Sequence, residues 1–400
     1  MLRSGVRLPS APFSNSRLDG FNQTLRFSTR CTILLSGLVF AATTICQVNC
    51  FPMSSSIPFH VLHALHESLG SVEGIESCHG GLSPCRVWRI ESGDNAWALK
   101  HFPKDHYSIE RLSDILEYQV FLGTLPISST LVPRLHPWKT NSRTTLASIL
   151  SQPDGYWIAM EWKYGEPLAF ASISSLQLDA VLQFLEEGYR SLPYKWKSME
   201  VPSGIKERIA GLETWRQQIQ GLDVHDLQFD PPFAYLIDHF QRRAGRLSKQ
   251  IKSQSKPREC GWVMRDVRRD NLLFGEPNAY DTNRRPLNGV IDFASVRMDC
   301  FWFDWIRVLT TNIPTKDIAS WQLAHDSFRR RVNSSLSWSD FAYLAEASLL
   351  LSGLYWFGKH LAGHSLSVEA NLRLQEIVGQ LQGIGWGRED GPREGGWLPR

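Results

Sequence analysis

The spacing of apolar residues along the chain predicts most of its helices and one of its strands. Apolar residues that recur every third or fourth position are typical of helices with one buried face. They show this spacing in seven stretches, 60–69, 108–123, 174–192, 205–220, 233–252, 339–361 and 367–383. The run YWIAMEW (156–162) lacks this period and predicts a buried strand.

Two pairs of short apolar runs predict β-hairpins. The runs RVWRI and AWALKHF flank the turn residues 92–95, which indicates a hairpin with a loop of about four residues. The block 261–293 contains NLLF and GVIDF, joined by the polar loop EPNAYDTNRRPLN. Hairpin, helix and strand thus precede residue 163, and helices dominate after it. We predict an α+β fold with a small lobe at 53–163, a helical lobe at 164–400 and a linker near Lys163–Pro167.

Charge and cysteine content exclude several classes of partner. The net charge of the 400 residues is +3, of which residues 1–52 contribute +4, so the remainder is close to neutral at −1. A neutral body argues against a nucleic-acid partner and offers no polybasic stretch for a membrane surface. The cysteines after residue 52 lack CxxC spacing, and we interpret them as reduced packing residues of a cytoplasmic protein.

The leading segment, residues 1–52, has a different character from the rest of the chain. Residues 31–51 form an uncharged, mostly apolar run preceded by Arg26 and Arg30, which resembles a signal peptide or a membrane anchor. Three interpretations stay open, namely a segment outside the working protein, an anchor, or a cleaved signal. Membrane contact is expected only if 31–51 is retained as an anchor. No pattern predicts an oligomeric state.

Three oxygen-bearing side chains form the strongest chemical constellation. Asp266 and Asn271 lie five residues apart in one turn, and Asp292 follows in Val290-Ile291-Asp292-Phe293. Phosphoryl transfer needs a carboxylate to orient the attacking hydroxyl and oxygen ligands for magnesium. Magnesium binds one or two carboxylates together with substrate oxygens and water. We therefore expect a turn and a hairpin to bring these side chains to one metal-triphosphate.

At these residues the chain resembles the aminoglycoside phosphotransferase and choline kinase-like family, whose loop reads roughly HGDxxxxN. The resemblance extends to Asp304, twelve residues after Asp292, where the family has a buried aspartate that braces the catalytic loop. It implies a two-lobed, protein kinase-like fold that binds ATP and Mg²⁺ in a cleft. It further implies Asp266 as the base, and Asn271 and Asp292 as metal ligands.

The loop departs from the family pattern at several positions. Met264 replaces the family histidine, Arg265 replaces its glycine, and Arg269-Asp270 replaces Pro-Gly. Arg268 follows Asp266 by two residues, where protein kinases have a lysine that contacts phosphate, and we assign it a similar role. These departures motivate an alternative, a catalytically silent nucleotide-binding or scaffold protein of the same fold.

The resemblance also assigns residues of the small lobe to nucleotide binding. Lys100, on a predicted strand, corresponds to the lysine that contacts the ATP phosphates, and Glu117 on the next helix has the spacing of its partner, with Glu110 as the competing candidate. Two further segments match weakly. These are the turn with Gly80 and Gly81, expected near phosphate, and the hinge with Glu161, Trp162 and Lys163, expected near adenine.

The acceptor is expected to be a hydroxyl of a small molecule, such as an aminoglycoside, choline or a sugar-like compound. This expectation comes from the family, because 205–255 and 339–383 contain no interpretable motif. Protein kinase activity is disfavoured since Ala294 replaces the glycine of the DFG motif. The histidines show no metal-ligand spacing, so zinc is not expected.

Overall fold

The computed structural model of the protein describes residues 57–78, 84–139, 145–167, 173–191, 197–199, 201–220, 230–253, 258–277, 285–312, 318–332 and 337–383. The leading segment 1–52 and the predicted glycine turn at 80–81 lie outside these residues. Within the described ranges, no helix combines the length and the apolar character needed to cross a bilayer.

The first lobe is built on an antiparallel sheet. Its strands are β1 (Gly74–Cys78), β2 (Arg86–Ser92), β3 (Asn95–Pro103), β4 (Leu135–His136), β5 (Leu150–Gln152) and β6 (Gly155–Glu161). They lie in the order β1-β2-β3-β6-β4, and β5 also pairs with β6. The predicted hairpin is β2–β3, but its loop is shorter than expected. Ser92 pairs with Asn95, and Gly93 has a φ of 56°, which permits a two-residue turn.

Two helices pack on opposite faces of this sheet. Helix α1 (Phe59–Leu69) buries Val61 and Leu65 against a cluster that contains Trp88 and Trp157. Helix α2 (Ile109–Leu122) begins at Ser108, whose hydroxyl accepts a hydrogen bond from the amide of Arg111, a stabilising N-cap. Because side chains alternate along a strand, β3 directs Leu99 to the α1 side and Lys100 to the α2 side. A short helix, α3, spans Ser128–Leu131.

The second lobe is mainly helical. Its helices are α4 (Ser175–Arg190), α5 (Ser203–Gln220), α6 (Pro231–Ser253), α7 (Trp302–Asn312), α8 (Ile318–Val332), α9 (Trp338–Leu361) and α10 (Val368–Gly383). All seven predicted helices are confirmed within two residues of the expected bounds. Helices α7 and α8 were not predicted. The centre of the lobe is α9, which contacts α5, α6, α7 and α10 and is apolar around most of its circumference, as expected for a buried helix.

Two small antiparallel sheets carry the residues that connect the lobes. One has the order β11-β10-β7, formed by β7 (Glu166–Pro167), β10 (Leu272–Phe274) and β11 (Leu287–Val290). The other has the order β12-β9-β8, formed by β8 (Lys197–Met199), β9 (Arg258–Val263) and β12 (Arg297–Asp299). The predicted hairpin of the block 261–293 is β10–β11. Leu272 pairs with Val290, which returns the chain after β11 to the loop before β10.

Candidate active site

An ion pair joins the sheet of the first lobe to the end of the β10–β11 hairpin. The ammonium of Lys100, on β3, lies 2.5 Å from Oδ1 of Asp292. Burial lowers the pKa of Lys100, but the adjacent carboxylate outweighs it and the net pKa is raised. Burial likewise opposes ionisation of Asp292, yet Lys100 holds its pKa below the usual value. Both groups are therefore charged at neutral pH, and the pair places a cation and a carboxylate side by side between the lobes.

Asp292 does not lie within the strand, as the sequence suggested, but directly after it. Its φ of 62° and ψ of 75° are left-handed, a conformation that aspartate adopts more readily than most residues. The amide of Ile291 donates to the carbonyl of Asn271 at 2.9 Å. This contact fixes the end of β11 beside the catalytic loop, 264–271, and the turn at Asp292 directs its carboxylate toward Lys100.

The catalytic loop brings Asp266 and Asn271 together. The side-chain nitrogen of Asn271 donates to the backbone carbonyl of Asp266 at 2.8 Å, and it lies 3.4 Å from the Asp266 carboxylate. Asn271 is buried, whereas the Asp266 side chain retains 17% exposure. The three side chains predicted from the sequence thus belong to one site, with Asp292 supplied by the neighbouring hairpin.

These residues fit a magnesium ion bound with a nucleotide. The side-chain nitrogen of Asn271 donates its hydrogen bond to Asp266, so the side-chain oxygen is the atom that Asn271 can offer to a metal. Asp292 is ionised and one-quarter exposed. One amide oxygen and one carboxylate are the kind of protein ligand set that Mg²⁺ uses when phosphate oxygens and water complete its octahedron. The ammonium of Lys100 lies beside the same carboxylate, where it would face the phosphates of such a nucleotide.

Asp304, near the start of α7, braces the catalytic loop as expected. Its carboxylate accepts hydrogen bonds from the amides of Met264, at 3.0 Å, and of Arg265. The hydroxyl of Tyr189 donates to the same carboxylate at 2.9 Å. Complete burial raises the pKa of Asp304 to about 6, against the opposing effect of these hydrogen bonds. The loop therefore needs no histidine at position 264, because backbone amides and a tyrosine provide the bracing contacts.

Arg265 stands where the family has a glycine, and its ion pairs compensate for the cost of a large side chain at this position. Its φ is 63°, a left-handed conformation that costs a residue with a Cβ about 1–2 kcal/mol. Its guanidinium lies 2.9 Å from the buried carboxylate of Asp299 and 2.7 Å from Glu207. Breaking a buried pair by removing one partner costs about 3–5 kcal/mol. The ion pairs thus outweigh the backbone strain and hold the loop against β12 and α5.

Sequence reasoning missed Arg307, which binds the predicted base. The Nε and Nη2 atoms of Arg307 lie 3.1 and 2.9 Å from Oδ1 of Asp266. A signal for this contact exists in the sequence of α7. Asp304 and Arg307 are three residues apart and share a helix face, and that face is directed inward to the catalytic loop.

Arg268 also lies beside Asp266, as its expected role requires. Its Nε is 3.5 Å from Asp266 and 3.6 Å from Asp270. Burial lowers the pKa of Arg268, but these two carboxylates outweigh burial and raise it. The predicted base thus has two guanidinium neighbours, one from its own loop and one from α7.

The expected pairing of Lys100 with Glu117 is wrong. The Glu117 side chain is exposed on α2 and its carboxylate lies 3.5 Å from the hydroxyl of Ser113. Glu110, the competing candidate, is also exposed and lies in the first turn of the helix. The helical register explains the error, since both acids lie on the solvent side of α2. Arg111 of α2 is directed inward instead and donates to the carbonyl of Ala294 at 3.2 Å.

The hinge residues already have partners in the first lobe. Glu161 accepts hydrogen bonds from Arg134, at 3.2 Å from the backbone amide, and from Lys163, also at 3.2 Å. The amide of Trp162 donates to the carbonyl of Ala96 at 3.1 Å, so it is not directed at a nucleotide. Adenine contact by this segment stays a prediction.

The class of kinase-like phosphotransferases is defined by a lobe built on a sheet, a helical lobe, and a site between them. In this chain the site contains the Lys100–Asp292 pair beside the loop with Asp266 and Asn271. A model of the phosphotransferase enzyme family matches residues 74–330, more than half of the chain. The chain therefore belongs to the phosphotransferase enzyme family, which confirms the predicted family and enzyme class. Comparison with curated protein sequences finds no match.

Solved structures confirm the fold. An aminoglycoside phosphotransferase from Alicyclobacillus acidocaldarius superposes with a TM-score of 0.54 at 16% identity, covering 83% of this chain and 94% of that one. A microcompartment-associated aminopropanol kinase gives 0.52 at 15% identity, covering 84% and 99%. A spectinomycin phosphotransferase bound to ADP and spectinomycin gives 0.51 at 11% identity, covering 81% and 93%. At these identities the likeness establishes the two-lobed, kinase-like fold.

Proposed function

We propose that the protein transfers the γ-phosphate of ATP to a hydroxyl group of a small molecule, with Mg²⁺ held by Asn271 and Asp292. The observation that carries this proposal is the contact between Lys100 and Asp292, beside the loop that holds Asp266 and Asn271. The family match supports phosphate transfer. The similar spectinomycin phosphotransferase contains ADP, which supports an adenine nucleotide as the donor.

In the proposed reaction the carboxylate of Asp266 takes the proton of the acceptor hydroxyl. A bond forms between the acceptor oxygen and the γ-phosphorus, and the bond from that phosphorus to the bridging oxygen breaks, so that ADP leaves with the electron pair. Mg²⁺, when bound, supplies neutralisation of charge on the phosphate oxygens. Lys100 adds a fixed cation for these oxygens, and Arg268 a second one, in a site where preorganised charge is effective.

The loop geometry favours this activity over a catalytically silent protein. The silent alternative was motivated by Met264 and Arg265, which depart from the family pattern. Both residues donate their backbone amides to Asp304, and the side chain of Arg265 is anchored by two carboxylates. The contacts of Met264 and Arg265 thus hold the loop in place, and Asp266 and Asn271 remain in contact.

We further propose that the protein acts in the cytoplasm. The cysteines of the described part of the chain, at positions 78, 85, 260 and 300, form no disulfide bond with one another. Cys260 and Cys300 are buried with their sulfur atoms 3.4 Å apart. A close thiol pair that stays reduced is typical of a reducing compartment.

The direct test is ADP release by the full-length chain with a panel of small alcohols and amino alcohols, with and without Mg²⁺. Asp266→Asn should lower the rate by about 10²–10⁴, the usual contribution of a general base. Asp238→Asn is the control, because Asp238 is an ion-paired aspartate exposed on α6, outside the catalytic loop, and it should stay close to the wild-type rate. Wild-type turnover by Asp266→Asn would refute the assignment of the base.

A further inference from the structure

The surroundings of the proposed base are rich in guanidinium groups. Oδ1 of Asp266 accepts two hydrogen bonds from Arg307, and Arg268 lies 3.5 Å from the same carboxylate. The side chains of Arg307 and Arg268 retain 27% and 28% exposure, so a ligand can reach both. The carboxylate that takes the acceptor proton in the proposed reaction is thus held, through one of its two oxygens, by a cation that solvent can reach.

A second arginine pair lies next to Arg307. Arg269, from the catalytic loop, and Arg373, from α10, share the carboxylate of Glu376 at 2.5 and 2.8 Å. Arg373 also donates to the carbonyl of Thr310 in α7 at 2.8 Å. Burial, together with Arg307 and Arg269, lowers the pKa of Arg373 to about 10 against the opposing effect of Glu376. At this end of the catalytic loop, four arginines thus contact the carboxylates of Asp266, Asp270 and Glu376. The carboxylate of Asp266 is the proposed base.

A cavity of about 510 Å³ reaches Glu376, the carboxylate that the arginine pair shares. It lies between the start of α6 and α10, and its walls include Tyr235, Leu372, Gln375 and Glu376. The carboxylate of Glu376 is already neutralised by Arg269 and Arg373. Among the described residues that line the cavity, Glu376 is the one with a charged side chain, and its charge is compensated by the two arginines.

We infer that the acceptor is an anion, a hydroxylated carboxylate or phosphate ester, and that Arg307 binds its charged group. This inference rests on the proposed function and specifies its substrate class. An acceptor carboxylate or phosphate offers Arg307 a replacement for Asp266, since a guanidinium binds either group through two parallel hydrogen bonds. Transfer of Arg307 to the acceptor frees Oδ1 of Asp266 for the acceptor hydroxyl. A cationic amino alcohol would be repelled by the guanidinium of Arg307, and the hydrogen bonds from Arg307 to Asp266 would stay in place.

The test measures thermal unfolding of the full-length chain with Mg²⁺ and a non-hydrolysable ATP analogue, so that the nucleotide site is filled. The probes share a three-carbon skeleton and differ in charge, namely glycerate, glycerol 3-phosphate, glycerol and 3-amino-1,2-propanediol. The variant is Arg307→Gln. The matched control is Arg331→Gln, because Arg331 is 28% exposed, close to the 27% of Arg307, and also binds carboxylates, but those of α4.

Both anions, or one of them, should raise the Tm of the wild type and of Arg331→Gln, but not of Arg307→Gln. The response to glycerate or to glycerol 3-phosphate identifies the carboxylate or the phosphate as the preferred group. With the responding anion as acceptor, Arg307→Gln should lower kcat/KM about 10- to 100-fold, as expected for lost hydrogen bonds to a charged group. Arg307→Lys, which keeps the cation but not the fork, should retain part of the Tm shift.

Three results would overturn the inference. These are a wild type that neither anion stabilises, a larger shift with 3-amino-1,2-propanediol than with either anion, and an anion shift that persists in Arg307→Gln. Failure of the proposed function is distinguishable, because the ATP analogue would then leave the Tm unchanged, or would raise it while no acceptor caused release of ADP from ATP. A wild type that binds the nucleotide and prefers the amino alcohol would keep the kinase assignment and exclude the anionic acceptor.

Discussion

Replacement of Asp304 should destabilise the protein in proportion to the number of donors left without an acceptor. The carboxylate accepts hydrogen bonds from Met264, Arg265 and Tyr189, and it is fully buried. A buried donor that loses its acceptor costs about 1–3 kcal/mol. Asp304→Ala leaves all three donors unsatisfied and should cost about 3–9 kcal/mol. Asp304→Asn keeps one oxygen and should cost about 1–3 kcal/mol, whereas Tyr189→Phe removes one hydrogen bond and should cost about 1 kcal/mol.

Urea denaturation followed by tryptophan fluorescence measures this series. The same variants should lose turnover, because Asp304 fixes the amides directly before Asp266. A displacement of about 1 Å at a reacting group costs about 10²-fold in rate, so Asp304→Asn should fall by at least this factor while Tyr189→Phe stays active. An Asp304→Ala protein with a free energy of unfolding within about 1 kcal/mol of the wild type would refute the bracing role.

Three further outcomes follow from the ion pairs of the site. Lys100→Met should lower kcat/KM for ATP by about 10²–10³, whereas Lys104→Met, at an exposed position of the same lobe, should leave it unchanged in a steady-state ADP-release assay. Arg265→Gly should relieve about 1–2 kcal/mol of backbone strain but leave the buried Asp299 unpaired at about 3–5 kcal/mol, so urea denaturation should show a net loss; a gain in stability would contradict the ion-pair argument. Because the pKa of Asp292 is depressed, its pair with Lys100 stabilises the fold above the unfolded pKa of about 4 and is lost as pH falls further. The difference in free energy of unfolding between wild type and Asp292→Asn should therefore shrink between pH 6 and 3, and a constant difference would exclude the effect.

Much of the fold could be predicted because its signals are local. Amphipathic spacing located all seven predicted helices, and cap residues such as Ser108 and Ser174 start α2 and α4 where the pattern begins. Helix α7 was not predicted, although its apolar and polar residues lie on separate faces and its polar face is directed to the catalytic loop. An amphipathic pattern is usually interpreted as a boundary between core and solvent, and in α7 the polar face meets other charged groups instead.

The candidate site was predictable to the extent that its chemistry is contained in short motifs. The spacing of Asp266, Asn271 and Asp292 sufficed, because a turn and a hairpin connect them. Arg307 lies 41 residues beyond Asp266, and its contact depends on the packing of α7 against the loop. The partner of Lys100 was assigned to α2 by resemblance, whereas the register of that helix exposes Glu117. Contacts that depend on the packing of separate elements could not be deduced from the order of residues.

The most direct test of the account is nucleotide affinity measured by calorimetry, with a non-hydrolysable ATP analogue in the presence and absence of Mg²⁺. Wild-type protein should bind the analogue more tightly when Mg²⁺ is present. Asp292→Asn removes one charge from the proposed ligand set and should abolish most of that difference, and Asn271→Ala should reduce it. Affinity of Asp292→Asn that still increases with Mg²⁺ to the wild-type extent would contradict the metal site on which the proposed phosphotransfer depends.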